Sequence, residues 1–231
     1  MLTPPQKLAE NLRNVRARIA AASRAAGRTE DSVTLLAVSK GQSTALIEAA
    51  AALGQRDFGE NYLQEALPKI GALRSAELTW HFIGRVQANK TRAIAEHFAW
   101  VHTVDRPRIL ERLAAQRPYY APPLQICLQV RLAPEVAKGG VEPAELAELA
   151  AAARDLPRLR LRGLMCIPPA EPTADRQRHW FERLAALAEQ LRASGFTLDT
   201  LSMGMSADLE AAIAAGSTIV RVGTAIFGPR N

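Results

Sequence analysis

The sequence predicts an α/β chain folded as a single (β/α)8 TIM barrel with an additional N-terminal helix. Three observations predict it. Short aliphatic runs alternate with amphipathic helical stretches from residue 33 onward. The runs number eight. No stretch of the 231 residues is a linker long enough to divide the chain, so residues 1–231 are expected to form one domain. Strands joined by helical crossovers pair in parallel, and eight such units are the count of a closed barrel. An open doubly wound sheet would leave two edges to protect and would not require eight units.

The first helix is announced by Thr3 as N-cap, Pro4 at the first helical position and Gln6 three residues after the cap. Leu8, Leu12, Val15, Ile19 and Ala22 then recur at spacings of three and four, and Gly27 is a stop. Residues 33–39 (VTLLAVS) are too short for a helix and continuous enough for a strand buried on both faces. A helix is expected over 43–53, closed by Gly54, then a strand near 56–58, a helix over 61–72 and a strand over 79–83. The alternation continues with a helix over 87–97, a strand over 100–103, a helix over 106–116 and a strand over 124–130. A helix opening near Glu142 leads to a sixth strand over 161–165, and a long helix carries Trp180, Leu184, Leu187 and Leu191 on one face. The seventh and eighth strands are expected at 198–201 and 218–222, separated by a helix beginning near Ala207. The opening helix would fill the place of the helix missing after the eighth strand.

Composition narrows the function classes. With 48% hydrophobic and 23% charged residues the chain is an ordinary globular protein. No run approaches the ~18 apolar residues of a membrane span. Met1 leads into Thr3, Pro4 and Pro5 instead of a signal peptide's apolar region, so a cytoplasmic protein without membrane association is expected. Lys and Arg exceed Asp and Glu by 29 to 23, but the arginines are spread over many helices, which argues for a solvated surface and against nucleic acid. Cys127 and Cys166 share no metal spacing and read as small buried side chains. His97, His102 and His179 show no ligand spacing either, so no metal is assigned.

In a barrel of this kind the active residues sit just after strands. Lys40 follows the first strand, Glu60 and Asn61 the second, His81 and Gly84 close the third, Met165 ends the sixth, and Ser202 and Ser206 follow the seventh. Arg221 lies on the eighth, with Gly223 and Thr224 behind it. A lysine finishing an apolar strand is by itself more often a solvated stop; at the mouth of a barrel, partial withdrawal from water turns it into a nucleophilic amine able to form a Schiff base. Ser206 could merely cap its helix and Gly223 merely make a turn. Two turns suited to an anion after adjacent strands 7 and 8 nevertheless match the usual phosphate position. A ligand carrying both an aldehyde and a phosphate satisfies both halves, and pyridoxal phosphate is one.

The motifs LLAVSK ending at Lys40, FGENY (58–62), WHFIG (80–84) followed by Gln87, Asn89 and Lys90, GLMCI (163–167) and the tail from Ser202 to Gly228 resemble the pyridoxal phosphate homeostasis protein family. The likeness runs from about residue 7 to 230. It implies a fold-type III barrel like the N-terminal domain of alanine racemase, with pyridoxal 5'-phosphate (PLP) held as an aldimine on Lys40. It further implies Arg221 beside the pyridine nitrogen, Gly223 and Thr224 with Ser202 or Ser206 at the phosphate, and Asn61 and Met165 lining the pocket. A permanently charged guanidinium disfavours protonation of the ring nitrogen and makes the ring a poor electron sink. The chain departs from many members at Gln42, where a second lysine is common, and at Arg85, where proline is common. Lys138, beside Gly139 and Gly140, is either a secondary aldehyde or phosphate contact or a surface lysine.

The resemblance implies a PLP carrier or buffer without steady turnover, which passes cofactor transiently to apo-enzymes dependent on it; a barrel that needs no partner to complete its pocket makes a monomer the default. The alternative is a fold-type III enzyme such as an amino-acid racemase, which needs a second base on the far face of the substrate. Tyr62, Tyr119 and Tyr120 are the only tyrosines, and only Tyr62 falls near the C-terminal end of a strand. A third possibility, a barrel that binds a sugar phosphate or nucleic acid, would need no aldehyde at Lys40.

Overall fold

The computed structural model describes residues 4–133 and 139–229. Eight strands close into one parallel barrel in sequence order. They are β1 (Thr34–Val38), β2 (Asp57–Glu60), β3 (Thr79–Phe82), β4 (Trp100–Val104), β5 (Leu124–Gln129), β6 (Leu159–Met165), β7 (Thr200–Ser202) and β8 (Ile219–Val222). β8 returns to β1 with Leu36 opposite Arg221 and Ala37 opposite Val222. The helices are α1 (Pro4–Ala25), α2 (Thr44–Ala52), α3 (Leu63–Ala72), α4 (Thr91–His97), α5 (Pro107–Gln116), α6 (Leu146–Arg154), α7 (Ala174–Ala193), α8 (Leu209–Ala214) and the single turn α9 (Thr224–Phe227).

The extra N-terminal helix does what its apolar stripe predicts. Leu8, Leu12, Val15 and Ile19 are buried, and α1 packs against α2, α8 and α9, so it occupies the gap that the one-turn α9 leaves in the helical ring. Asn11 donates to the Ile226 carbonyl at 2.8 Å, and Arg18 grips both Glu210 oxygens at 2.7 and 2.9 Å. Between strands and helices lies the apolar layer, with Phe58, Phe98, Phe181, Ile94, Ile109 and Leu113 fully buried. No helix of the described residues is long and apolar enough to cross a membrane.

Several boundaries differ from the sequence expectation by a few residues, and four of them have a local reason. β2 runs on to Glu60, because Glu60 pairs with Phe82 and turns its carboxylate to a buried lysine. The helix expected near Glu142 is first a tight turn at Pro143–Glu145 and becomes α6 at Leu146, since Glu142 is held extended before proline. β7 begins at Thr200 and includes Ser202, which was expected to follow it. The helix expected near Ala207 starts at Leu209, with Asp208 as its N-cap residue and the Asp208 carboxylate accepting from the Met205 N–H, so Ser206 is not the cap.

Candidate functional site

Strand register gathers the predicted residues at the C-terminal mouth. Ser39 N–H donates to the Gly59 carbonyl at 3.0 Å, so Lys40 leaves β1 beside the end of β2, where Asn61 follows. On the other side of β1, a Cβ on Gly223 would sit 3.3 Å from the Val38 carbonyl, which places the Gly223–Thr224 turn against the end of the same strand. Arg221 N–H donates to Gly204 at 2.9 Å, and Met165 stands opposite Ser202. Lys40, Asn61, Met165, Ser202, Ser206, Arg221, Gly223 and Thr224 thus gather at one end of the barrel, with Met165 and Ser202 fully buried side by side. Lys138 lies outside the described residues.

The segment carrying Lys40 is fixed from behind by an ion pair that the sequence did not announce. Lys69 of α3 is buried and reaches Glu60 at 2.8 Å and the Ser39 carbonyl at 2.9 Å. The Ser39 hydroxyl donates to the same Glu60 oxygen at 2.6 Å. Gly41, at φ 72°, turns the chain so that its N–H donates to Glu65, and Ser43 caps α2. The amphipathic pattern of α3 assigns Lys69 to no partner. Only the burial of Glu60 on the outer face of β2 reveals it.

Arg221 is buried at the centre of the mouth. One terminal nitrogen donates to the Ser202 carbonyl at 2.6 Å and to its hydroxyl at 2.9 Å, and the other donates to the Cys166 carbonyl at 2.9 Å. Burial lowers its pKa, opposed by the nearby Cys166, Asp208 and Cys127. Below it the barrel lumen is polar where such barrels are usually filled by branched aliphatics. The Ser202 hydroxyl also meets His102 Nδ1 at 2.7 Å, His102 Nε2 meets His81 Nδ1 at 2.9 Å, and His81 Nε2 meets Asp57 at 3.0 Å. β4 and β7 are not neighbours, so the His102 to Ser202 bond crosses the lumen. Desolvation lowers the pKa of His81 against the pull of Asp57. Desolvation, with His81 and Arg221 adding to it, holds His102 well below the ordinary histidine value. The sequence excluded His102 as a metal ligand from its spacing and gave it no place in the site. The strand alternation that sets His81 and His102 opposite Trp80, Phe82 and Val101 was the available signal.

The Asn61 side-chain oxygen is buried with no partner among the described residues, an acceptor that a ligand donor would satisfy. A cleft of about 340 Å³ opens beside it, lined by Tyr62, Phe82, Gly84, Arg85 and Lys90. Gly204, at φ 93°, brings the loop after β7 so close to α8 that an added Cβ would stand 2.5 Å from that of Ala212. Burial pushes the Cys127 and Cys166 thiols up to about 12, so neither is a nucleophile at neutral pH. Among the described residues, no group of three or more His, Cys, Asp or Glu side chains is placed to hold a metal ion.

The family described as alanine racemase, N-terminal domain, matches residues 6–231. A pyridoxal phosphate homeostasis protein of Pseudomonas aeruginosa is 56% identical over 226 residues, covering 97% of this chain and 96% of the relative. The chain belongs to this family. A second pyridoxal phosphate homeostasis protein, from Escherichia coli K12, is 51% identical over 227 residues, covering 97% of each. Among solved structures, PipY of Synechococcus elongatus PCC7942 with PLP bound superposes with a TM-score of 0.84 at 39% identity, over 96% of this chain and all (100%) of that one. Alanine racemase from Corynebacterium glutamicum matches at 20% identity and a TM-score of 0.69, over 96% of this chain but 61% of the enzyme, which shows a shared barrel and no more. Family membership accounts for the ordered motifs, and the barrel carries each of them to the mouth.

Proposed function

We propose that the protein is a cytoplasmic, monomeric carrier and buffer of pyridoxal 5'-phosphate that hands the cofactor transiently to apo-enzymes and does not turn over substrate. The observation that carries this reading is the convergence of Lys40, the Gly223–Thr224 turn and the buried Arg221 on adjacent strands β1 and β8. The PLP-bound relative PipY, which this chain covers end to end, supports it. The cofactor supplies an aldehyde that condenses reversibly with an amine and a phosphate that takes hydrogen-bond donors. Lys40 would present the amine for that condensation. Gly223 and Thr224 would donate to the phosphate together with Ser206, because the Ser202 hydroxyl is already committed to His102 and Arg221. Asn61 and Met165 would bound the ring, and Arg221 would face its nitrogen as a fixed cation, disfavouring a proton there.

The carrier is favoured over a racemase by the positions of the tyrosines. Tyr119 and Tyr120, 88% and 78% exposed, follow α5 and precede β5, at the end of the barrel opposite the mouth. Tyr62 is at the mouth but 60% exposed on the rim, with no side-chain hydrogen bond among the described residues to hold it as a base. The test is the absorbance of the purified protein with added PLP, then borohydride reduction and peptide mapping, with Lys40→Ala as control. A pyridoxyl group on Lys40 and no steady amino-acid turnover is the expected result. A protein that stays colourless, or one that racemises an amino acid at enzyme-like rates, would overturn the proposal.

A further inference from the structure

We propose that His81 and His102 are positioning residues for Arg221, acting through a one-directional hydrogen-bond wire that runs Arg221 to Ser202 to His102 to His81 to Asp57. The inference deepens the cofactor reading above and rests on it for the role of Arg221. Its direction follows from the two ends. A guanidinium only donates and a carboxylate only accepts. Ser202 Oγ accepts from Arg221 at 2.9 Å, and its own proton goes to His102 Nδ1 at 2.7 Å, because the carboxylate end leaves that nitrogen bare when both rings are neutral. His102 then carries its hydrogen on Nε2 and donates to His81 Nδ1 at 2.9 Å. His81 in turn carries its hydrogen on Nε2 and donates to Asp57 at 3.0 Å. With both rings neutral the reverse arrangement would set a bare imidazole nitrogen against a carboxylate oxygen, so only one direction is available. Both imidazoles are fully buried, which keeps them neutral.

The wire answers a question of charge. Among the described residues no carboxylate bonds directly to Arg221, although Asp208 acts on it at longer range. Four aligned bonds connect its guanidinium instead to Asp57, whose side chain is 29% exposed at the N-terminal end of β2. Aligned bonds polarise one another in a low-dielectric interior, so each neutral member turns its negative end toward the cation. The same wire fixes the Ser202 hydroxyl as acceptor. With Ser202 and Cys166 taking three of its five N–H groups, the guanidinium plane is locked, and the remaining donors keep one aim. His81 is further held by stacking on Trp100, ring centroids 5.5 Å apart, with Arg162 above the indole.

Two readouts test this separately from the cofactor reading. Nitrogen-15 NMR of histidine-labelled protein at pH 7.5, without cofactor, is expected to show both buried rings as neutral Nε2–H tautomers. The fixed tautomers persist in Asp57→Asn, which keeps an acceptor oxygen, and are lost in Asp57→Leu. A protonated ring or an Nδ1–H tautomer in the wild type would overturn the wire. PLP titration is the second readout. Ser202→Ala is expected to bind at least about tenfold more weakly and to shift the absorbance titration of the bound cofactor, as loss of a bond to a charged group implies. Asp57→Asn is expected to shift that titration while melting like the wild type, which a merely structural role would not produce. Wild-type binding and spectra in both variants would overturn the positioning role even with the tautomers as described. A wild type that takes up no PLP would overturn that role together with the cofactor reading, whereas the NMR result would still decide the wire.

Discussion

Lys69→Met isolates the ion pair behind Lys40. The substitution keeps an unbranched apolar stem, one atom shorter, and deletes two charge-assisted bonds, to Glu60 at 2.8 Å and to the Ser39 carbonyl at 2.9 Å. Glu60 is then left fully buried with the Ser39 hydroxyl as its main donor. Removing one partner of a buried pair costs about 3–5 kcal/mol, most of it the uncompensated charge. The double variant Glu60→Leu with Lys69→Met removes both charges at nearly constant volume and is expected to recover most of that loss. Equilibrium urea unfolding with linear extrapolation measures both, provided the slope is unchanged. A single variant that loses less than about 1 kcal/mol would refute the reasoning, as would a double variant no more stable than the single. Because Ser39 precedes Lys40, the single variant is also expected to bind PLP more weakly.

Acid should destabilise the fold before the carboxylates titrate. His81 and His102 have lowered pKa values in the folded state, so below about pH 6.5 the unfolded chain takes up protons that the native lumen refuses. Stability from this source is complete above that pH and is lost as pH falls, by about 2 kcal/mol between pH 7.5 and 5.5; urea midpoints that do not move over this range would contradict it. Cys127 and Cys166 should be unreactive toward a thiol-selective disulfide reagent in the native protein and both titratable in denaturant. Gly204→Ala combines a φ of 93° with a 2.5 Å contact to Ala212 and should lower stability by about 1–3 kcal/mol in the same urea assay.

The barrel was legible because its signals are periodic. Leu8 to Ile19 on α1 declare one buried face, the aliphatic run of β1 declares a strand buried on both, and the count of eight follows from repetition. The rim was legible too, since a lysine, glycines and hydroxyls clustered after strands stand out against aliphatic neighbours. What escaped was buried polarity, in the barrel lumen and behind β2. His102 and Lys69 are each a single charged or ionisable residue in an otherwise ordinary element, and their partners lie 100 residues away at Ser202 and 9 residues away at Glu60. No local pattern encodes such pairs, because the register of a closed sheet makes them. The end of β7 shows the same limit: Ser202 was placed after the strand, whereas its inclusion in β7 leaves its hydroxyl bonded to His102 and Arg221.

The seam between β1 and β8 sets an order on folding. Every other seam joins strands adjacent in sequence, whereas this one is reinforced by contacts such as Asn11 to Ile226, which are 215 residues apart. Closing a loop of that length carries an entropy cost of about 5 kcal/mol from its length alone. During synthesis β1 therefore waits as an unpaired edge until β8 has left the ribosome. The residues that complete the seam, Arg221 to Thr224, are the same ones that face Lys40 across it. A nascent chain thus cannot assemble the mouth before the cylinder is shut, so the lysine meets its opposing cation and turn only in a finished molecule.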